Sequence, residues 1–512
     1  MTNAIESAKK KRFDMEVRIG TRRSLLAVTQ SSGFARLLAQ THPEVKTSLV
    51  GIETEGDRIR DIPLQEVDGK DFFVKELDRS LLSKDSDLSV HSLKDLSLTR
   101  PKDITVACIP KREDPRDIVF FSDSVLERLR EGKPLRIGSS SPRRAHNIKP
   151  FLEQSLPHLH ATPPQVNWIP IRGNVPTRLA RISADLDGVV LAVAGIQRLF
   201  QDPTSAATLL PLIEGAFVQV LPLSLNPTSP GQGALAVECR TEDDVLLQKL
   251  RTLHDDHTAQ SVQIERKALA KWGGGCHQAF GASAVWTQSE QMWLRVLGKS
   301  ESGEQLDLWT PQFELPTPLD KDAVFDGAKD RAHAVALEVD PLPPIREGVL
   351  WCTHSRAFPD IWKKALEENT ALSMWTAGTR SWFELAQKGV WVTGCADSMG
   401  VDQEKLIPDF LKPTSQLYLT HDRSTRTDSI LKTYRTEWTE PSTEGIEVVQ
   451  SAKIFFWTSP DQYKQWMPYL NNNVSAQHCC GNGRTAHFLK NEGLDPLVFP
   501  SRNAWKGWLK SI

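Results

Sequence analysis

Between about Val17 and Cys239, short apolar runs alternate with stretches of helical periodicity, the pattern of α/β layers around a mainly parallel sheet. Val74, Leu77 and Leu81 recur at helical spacing. Asp87 to His91 then alternates as a strand, and the polar Ser92 to Asp95 follows at its end. Asp187 to Ala194 reads as a buried strand, and Asn174 with Pro176 opens a helix whose apolar face is Val175, Leu179 and Ile182. Pro and Gly punctuation from Leu223 to Gly233 predicts a loop before a strand at Ala234 to Cys239. From Thr241 to about Val339, a helix, a Gly-rich turn and two or three strand candidates predict a smaller α+β unit, and Asp340-Pro-Leu-Pro-Pro344 reads as a stiff linker. Residues 346–512 hold ten of the fifteen tryptophans, a composition shift that marks a separate C-terminal domain. A length of 512 residues favours three or four compact units.

Composition changes this picture little. With 39% hydrophobic and 25% charged residues the chain is in the ordinary globular range, and no stretch is apolar or long enough to span a bilayer. The basic run Lys9, Lys10, Lys11 and Arg12 has no apolar segment behind it, so it reads as a solvated tail rather than a secretory signal, and a cytoplasmic protein is expected. A net charge of −2 gives no case for a nucleic-acid partner. The seven cysteines are scattered, without C-x-x-C spacing, so neither a disulfide framework nor a metal site is expected.

The candidate chemistry is anionic recognition plus one thiol. Arginines gather in short segments beside predicted strands: Arg22 and Arg23, Arg143 and Arg144, Arg172 and Arg178, and Arg198. Guanidinium forks pair bidentately with carboxylates, so several at strand ends suit a substrate with many carboxylates. A solvated surface charge is the other reading of any one of them. Ser139-Ser-Ser141 adds hydroxyl groups beside Arg143. Trp272-Gly-Gly-Gly-Cys276 is either an open loop presenting an accessible thiol or a plain flexible loop with an incidental one. Asp95 after Lys94 is either an ionised acid/base group or a surface ion pair.

Together these segments resemble the porphobilinogen deaminase (hydroxymethylbilane synthase) family, almost continuously from Val17 to Leu297. The marks are Arg18-Ile-Gly-Thr-Arg-Arg-Ser24, Phe72-Phe-Val-Lys-Glu-Leu77, Val90-His-Ser-Leu-Lys-Asp95, Arg112-Glu-Asp-Pro-Arg-Asp117 and Gly138-Ser-Ser-Ser-Pro-Arg-Arg144. Arg172-Gly-Asn-Val, Leu191-Ala-Val-Ala-Gly195, Gly231-Gln-Gly-Ala234 and Gly274-Gly-Cys276 continue the match. The resemblance implies two hinge-linked, doubly wound α/β domains, a small α+β third domain and, beyond the family, a C-terminal α/β domain. The implied boundaries are 15–115 with a return segment 219–240, 116–218, 241–340, and 346–512.

It also implies an enzyme that condenses four porphobilinogen molecules into hydroxymethylbilane, in tetrapyrrole and heme biosynthesis, on a dipyrromethane cofactor bound through Cys276. Asp95 matches the catalytic aspartate. Lys94, Arg22, Ser24, Ser141, Arg143, Arg144, Arg172, Arg178 and Arg198 match groups that bind acetate and propionate arms. Phe73 matches an aromatic beside the growing chain, and Arg58 to Gly69 a lid. No metal is implied, and a monomer is expected.

Leu25, Asp71 and the run His277-Gln-Ala depart from the family pattern, and Asp71 adds a carboxylate near an anion-binding cleft. The tail more faintly resembles uroporphyrinogen-III synthase through Phe455-Phe-Trp-Thr-Ser-Pro460 and Cys480-Gly-Asn-Gly-Arg-Thr-Ala486, with Gly389-Val-Trp-Val-Thr-Gly394 in its first half. At about 167 residues it is short for two full α/β lobes, so an active synthase and a structural lobe both stay open. The competing class is a non-enzymatic two-domain anion-binding module, which would need neither Asp95 nor the cysteine loop.

Overall fold

Residues 15–54, 74–182, 184–273, 279–327, 332–339, 347–369, 371–397, 406–413, 415–424, 426–427, 429–471 and 476–510 are described in a computed structural model of the chain. They form a mixed α/β protein that divides into two compact units. The first comprises Met1–Pro115, Ala194–Pro211 and Gly231–Arg266, the second Arg116–Val193, Leu212–Pro230 and Lys267–Ile512.

The first unit is built on one five-stranded sheet. Its spatial order is Val45–Ile52, Met15–Arg22, Leu88–Ser92, Leu235–Arg240 and Ile104–Cys108. The first three are parallel, and Leu235–Arg240 runs antiparallel to both neighbours. Alternation buries Val17 and Ile19 of the first strand against Phe34 and Leu38 of the helix Leu25–Thr41. Ser24 caps that helix by accepting the Ala27 N–H. Helix Lys75–Leu82 buries Leu77 and Leu81 as its periodicity predicts.

In the second unit, a five-stranded sheet has the order Val166–Ile169, Leu135–Gly138, Gly188–Ala192, Asp117–Phe121 and Phe217–Val220. The strand read as ending at Ala194 stops at Ala192, because Val193 begins the helix Val193–Phe200. Phe280–Trp286, Met292–Lys299 and Gln305–Pro311 form a separate antiparallel sheet. The helices Asp244–Arg251 and, for most of its length, Asp256–Trp272 belong to the first unit, so residues 241–340 are shared between the two units.

The tail contains two sheets. One has the order Ala332–Ala336, Ile430–Trp438, Gln416–His421, Gly348–Cys352, Leu372–Thr376 and Gly394–Cys395. The other has the order Val324–Phe325, Ile454–Trp457, Gln477–Gly481 and Leu497–Phe499. Two of these strands precede the Pro-rich linker, so the tail sheets begin before residue 340 and the six-stranded lobe is inserted into the four-stranded one. A count from residue 346 therefore understates the chain that builds the two lobes.

The tail is not a tethered module. A single core joins Val119, Ile137, Phe151 and Leu152 to Leu350, Met374, Trp382 and Leu385. The Trp382 indole N–H donates to the Ser155 carbonyl at 3.1 Å, and its ring lies edge-on to Phe151. The Trp391 N–H donates to the Val218 carbonyl at 3.1 Å, and the backbone N–H of Val220 to Thr393 at 2.7 Å. Trp293 of the antiparallel sheet is likewise buried among Phe456, Phe499, Trp505 and Trp508. Burying aromatic side chains of this size stabilises by about 1.5–3 kcal/mol each.

Candidate active site

In the first unit, Arg22 ends its strand and Asp95 ends the single turn Leu93–Asp95 after the parallel neighbour Leu88–Ser92, so both lie at the carboxyl edge of the sheet, where α/β proteins place ligands. Asp95 is exposed and Lys94 half-buried, its ammonium 3.5 Å from Gln232 Oε1. The turn is held from behind. Arg266 donates to the carbonyls of Leu93 (3.1 Å), Leu96 (2.9 Å) and Ser97 (2.7 Å). Leu93 N–H donates to Ala234, and Gly231, at φ 80°, packs where a Cβ would meet Leu93 at 3.2 Å.

The Gly231–Ala234 segment is fixed in turn by buried charge. Glu265 accepts a bidentate pair from Arg112 at 2.7 and 2.9 Å and the Gly231 N–H at 2.7 Å. Arg112 Nε donates to the Gln232 carbonyl. Arg198, expected as a carboxylate ligand, is buried, and its Nη2 donates to the Gly233 carbonyl at 2.6 Å. Burial pushes its guanidinium down to about 10, against the pull of Glu113. Gly233 needs its φ of 87°, and a Cβ there would lie 2.6 Å from the Glu113 carbonyl.

In the second unit the carboxyl edge of the sheet carries the remaining candidates. Ser141 caps the helix Pro142–Ser155 by accepting the Arg144 N–H. Arg143 and Arg144 are buried and share one carboxylate, Asp117. Arg143 Nη2 donates to Oδ2 at 2.8 Å and Arg144 Nη2 to Oδ1 at 2.7 Å. Their other Nη groups donate to the carbonyls of Pro227 and Val190, and both Nε atoms are buried without a hydrogen-bond partner among the described residues. Two guanidiniums on one carboxylate leave a net positive charge in the interior. Arg178 stands on the short helix Val175–Ala180 opened by Asn174, and its Nε donates to the Gly173 carbonyl at 2.7 Å. Burial pushes its guanidinium down to about 10, helped by the charges of Arg144 and Arg172. Mutually repelling guanidiniums that lose solvent are a ready receptor for carboxylates.

Cys276, Phe73 and the segment 58–69 lie outside the described residues. The other six cysteines are free and buried, and burial pushes the thiols of Cys108, Cys239, Cys352 and Cys480 up to about 12. Among the described residues, no group of His, Cys, Asp and Glu could hold a metal, and no helix is long and apolar enough to cross a membrane. A polar cavity lined by Arg128, Arg136, Asp185 and Asp187 contains none of the candidate residues.

Comparison with known proteins bears on the same stretch. Residues 17–248 match the family described as porphobilinogen deaminase, dipyromethane cofactor binding domain. The porphobilinogen deaminase of Brevibacillus brevis is 35% identical over 291 residues, 56% of this chain and 86% of that protein. Those of Syntrophotalea carbinolica and Bacillus subtilis are 36% and 33% identical, each covered to 98% of its length. The chain belongs to the porphobilinogen deaminase family. As such a deaminase it is a transferase, and its cofactor is dipyrromethane. The tail has no part in the family match, which ends at residue 248. Among solved structures, YhfZ from Shigella flexneri matches at a TM-score of 0.25 and 15% identity, over 51% of this chain and 93% of that one, a likeness too slight to bear on the fold.

Several residues that shape this deaminase site were not singled out in the sequence. Asp117 lies in the quoted Arg112–Asp117 run but carried no role, and its signal is a carboxylate beginning an otherwise apolar strand, Asp117-Ile-Val-Phe-Phe121. Glu265 and Arg266, adjacent on a helix, gave no local signal at all.

Proposed function

We propose that the chain condenses four porphobilinogen molecules head to tail, taking up one water and releasing four ammonia molecules and hydroxymethylbilane. The observation that carries this reading is the crowding of guanidinium groups in the second unit, where Arg143 and Arg144 share the one carboxylate of Asp117 and the charges of Arg144 and Arg172 act on Arg178. Dipyrromethane, with its acetate and propionate arms, fits that donor set, and when bound it supplies the nucleophilic pyrrole carbon on which the product is built. Cys276 is the residue we assign to its thioether. The burial of the six other thiols supports this, because a buried thiol with a raised pKa resists forming the nucleophilic thiolate.

Arg143, Arg144, Arg172 and Arg178, with Ser141, hold carboxylate arms on the second unit; Arg22, Ser24, Lys94 and Arg198 serve the first, and Phe73 lies against the pyrrole rings. Asp95 is the acid/base group. Exposed on a turn that Arg266 and Gly231 hold rigid, it can hand a proton to the departing amine of porphobilinogen, stabilise positive charge on the ring that is left, and take up the proton released on condensation. Unpaired cysteines support a reducing, cytoplasmic setting. A monomer without a nucleic-acid partner fits the near-balanced charge, and exposed apolar side chains such as Leu210, Ile361 and Met467 come from different elements.

The test is bilane formation from porphobilinogen. Asp95→Ala is expected to lower turnover by about 10² to 10⁴ with an unchanged melting temperature. Near-normal turnover in this variant would refute the role.

A second reading concerns the tail, taken as residues 346–512 with the two strands before them. Its two α/β lobes, one inserted in the other, support descent from uroporphyrinogen-III synthase, which closes and inverts the bilane. Ser459 caps a helix by accepting the Gln462 N–H, and the Thr458 hydroxyl donates to Gln462 Oε1. The full chain fed with porphobilinogen decides it: type III uroporphyrin after oxidation establishes closure by the tail, and type I excludes it.

A further inference from the structure

The tail reaches a polar junction in the second unit that the deaminase reading leaves unexplained. Asp397 follows the tail strand Gly394–Cys395 and holds a left-handed backbone (φ 50°), one of few such positions among the described non-glycine residues. Its two carboxylate oxygens accept the backbone N–H of Ser224, at 2.9 Å, and the Ser224 hydroxyl. Ser224 lies in the segment Leu221–Pro230, after which the chain crosses into the first unit. The Ser224 carbonyl accepts Arg295 Nε at 2.6 Å, and Arg295 is paired with Asp307. Arg116, the first residue of the second unit, donates to the tail carbonyl of Leu406 at 2.6 Å. The tail thus holds the chain at two of the places in sequence where it passes from one unit to the other.

The same segment reaches the arginine cluster. Three residues after Ser224, the Pro227 carbonyl accepts Arg143 Nη1, and Arg143 shares Asp117 with Arg144. Pro227 cannot shift toward the antiparallel sheet, because its carbonyl already lies against Gly281, where an added Cβ would come within 1.9 Å. Thr228 is fixed to Ser283 at 2.9 Å. Asp397 closes the other end.

We propose that Asp397 of the tail is a positioning residue for the deaminase site, fixing through Ser224 the segment from which Pro227 orients Arg143, so that the tail is a working part of the deaminase whatever reaction it has of its own. The charged and titratable groups facing Asp397 are Arg116 and Arg295, with Asp307 beyond Arg295, and the buried thiol of Cys395. Burial pushes the Asp397 carboxyl up to about 6, against the pull of the Ser224 bonds and of Arg116 and Arg295. Protonation removes one of the two acceptors and the attraction to both guanidiniums. The grip is therefore complete above pH 6 and weakens below it.

This rests on the carboxylate-binding role of Arg143, which Arg143→Gln tests separately: an unchanged KM there defeats that role whatever Asp397 does. The experiment is KM and kcat for porphobilinogen from pH 5 to 8 in the full-length chain and in Asp397→Asn, Ser224→Ala and Trp382→Phe, with melting temperatures and intact masses. Asp397→Asn is expected to raise KM by about 2- to 30-fold at pH 7.5, with kcat nearly unchanged. The natural chain is expected to show a rise in KM below pH 6 that is missing from this variant, and the variant should retain its cofactor mass. Ser224→Ala, losing one hydroxyl bond, should shift KM in the same direction by less, and decides the matter if Asp397→Asn does not fold. Trp382→Phe loosens the tail elsewhere and should leave KM alone. Natural KM and natural acid dependence in Asp397→Asn, or an equal shift in Trp382→Phe, would overturn the proposal.

Discussion

Two buried carboxylates, one in each unit, are paired with arginine, and they differ in the ratio of guanidinium to carboxylate. In the first unit, Glu238 accepts Arg100 at 2.7 and 2.9 Å and sits 3.2 Å from His91, while Arg100 also pairs with Asp78 at 2.5 Å. One guanidinium serves two carboxylates, and His91 lies beside one of them. In the second unit the ratio is reversed, with Arg143 and Arg144 on the single Asp117 and with Arg172 and Arg178 close by. A balanced cluster is complete in itself and holds strands together. A cluster with surplus guanidinium is finished only when an outside anion arrives. Counting arginines does not separate the two; the ratio of guanidinium to carboxylate does.

The sharpest way to break this comparison is to remove its pivot. Asp117→Asn leaves two buried guanidiniums without a counter-charge, and breaking a buried ion pair from one side costs about 3–5 kcal/mol. Chemical denaturation should show a loss of that size, and addition of a polycarboxylate should restore part of it. A change below about 1 kcal/mol would mean that Asp117 does not neutralise the pair.

Arg178→Gln probes the surplus itself. It relieves repulsion, so stability should stay within about 1 kcal/mol of the natural chain. Porphobilinogen binding should weaken by the value of one charge-assisted hydrogen bond, about 1.5–3 kcal/mol. If the melting temperature falls while KM holds, Arg178 belongs with the balanced kind.

The smallest effect is the pH dependence of the balanced cluster. Burial opposes ionisation of Glu238, but the adjacent His91 and the hydrogen bonds and charge of Arg100 outweigh this and hold the carboxyl below its ordinary 4.5. A carboxyl lowered by folding stabilises above its ordinary value, and that contribution fades as pH falls through the lowered one. Asp78 has the opposite sign, since burial raises it above 3.8 despite Arg100, and so offsets part of the loss. The melting temperature should therefore drop below about pH 4. In Glu238→Gln that drop should be shallower, and an identical acid limb in both would remove Glu238 as its source.

The sequence made the carboxyl-edge residues legible because their motifs stand at predicted strand ends: Leu93–Asp95 does follow a strand, which takes in Ser92 as its last residue, and Asn174 and Ser141 do cap helices. It did not reveal what each guanidinium touches. Arg143, Arg144 and Arg198 read alike as carboxylate ligands, yet each spends part of its fork on the protein, on Asp117 or on the Gly233 carbonyl. Those partners are brought in from distant sequence by sheet pairing, which no local pattern encodes. The start of the tail is hidden in the sequence for the same reason. Ala332–Ala336 precedes a Pro-rich linker and looked like the end of one domain, but its pairing with Ile430–Trp438 makes it the edge of the next.

That the chain is a deaminase carrying its cofactor on Cys276 is tested most directly by intact mass. The natural protein should exceed its sequence mass by one dipyrromethane, and Cys276→Ser should match its sequence mass while remaining folded. An adduct that survives in Cys276→Ser, or a natural protein without added mass, would contradict it.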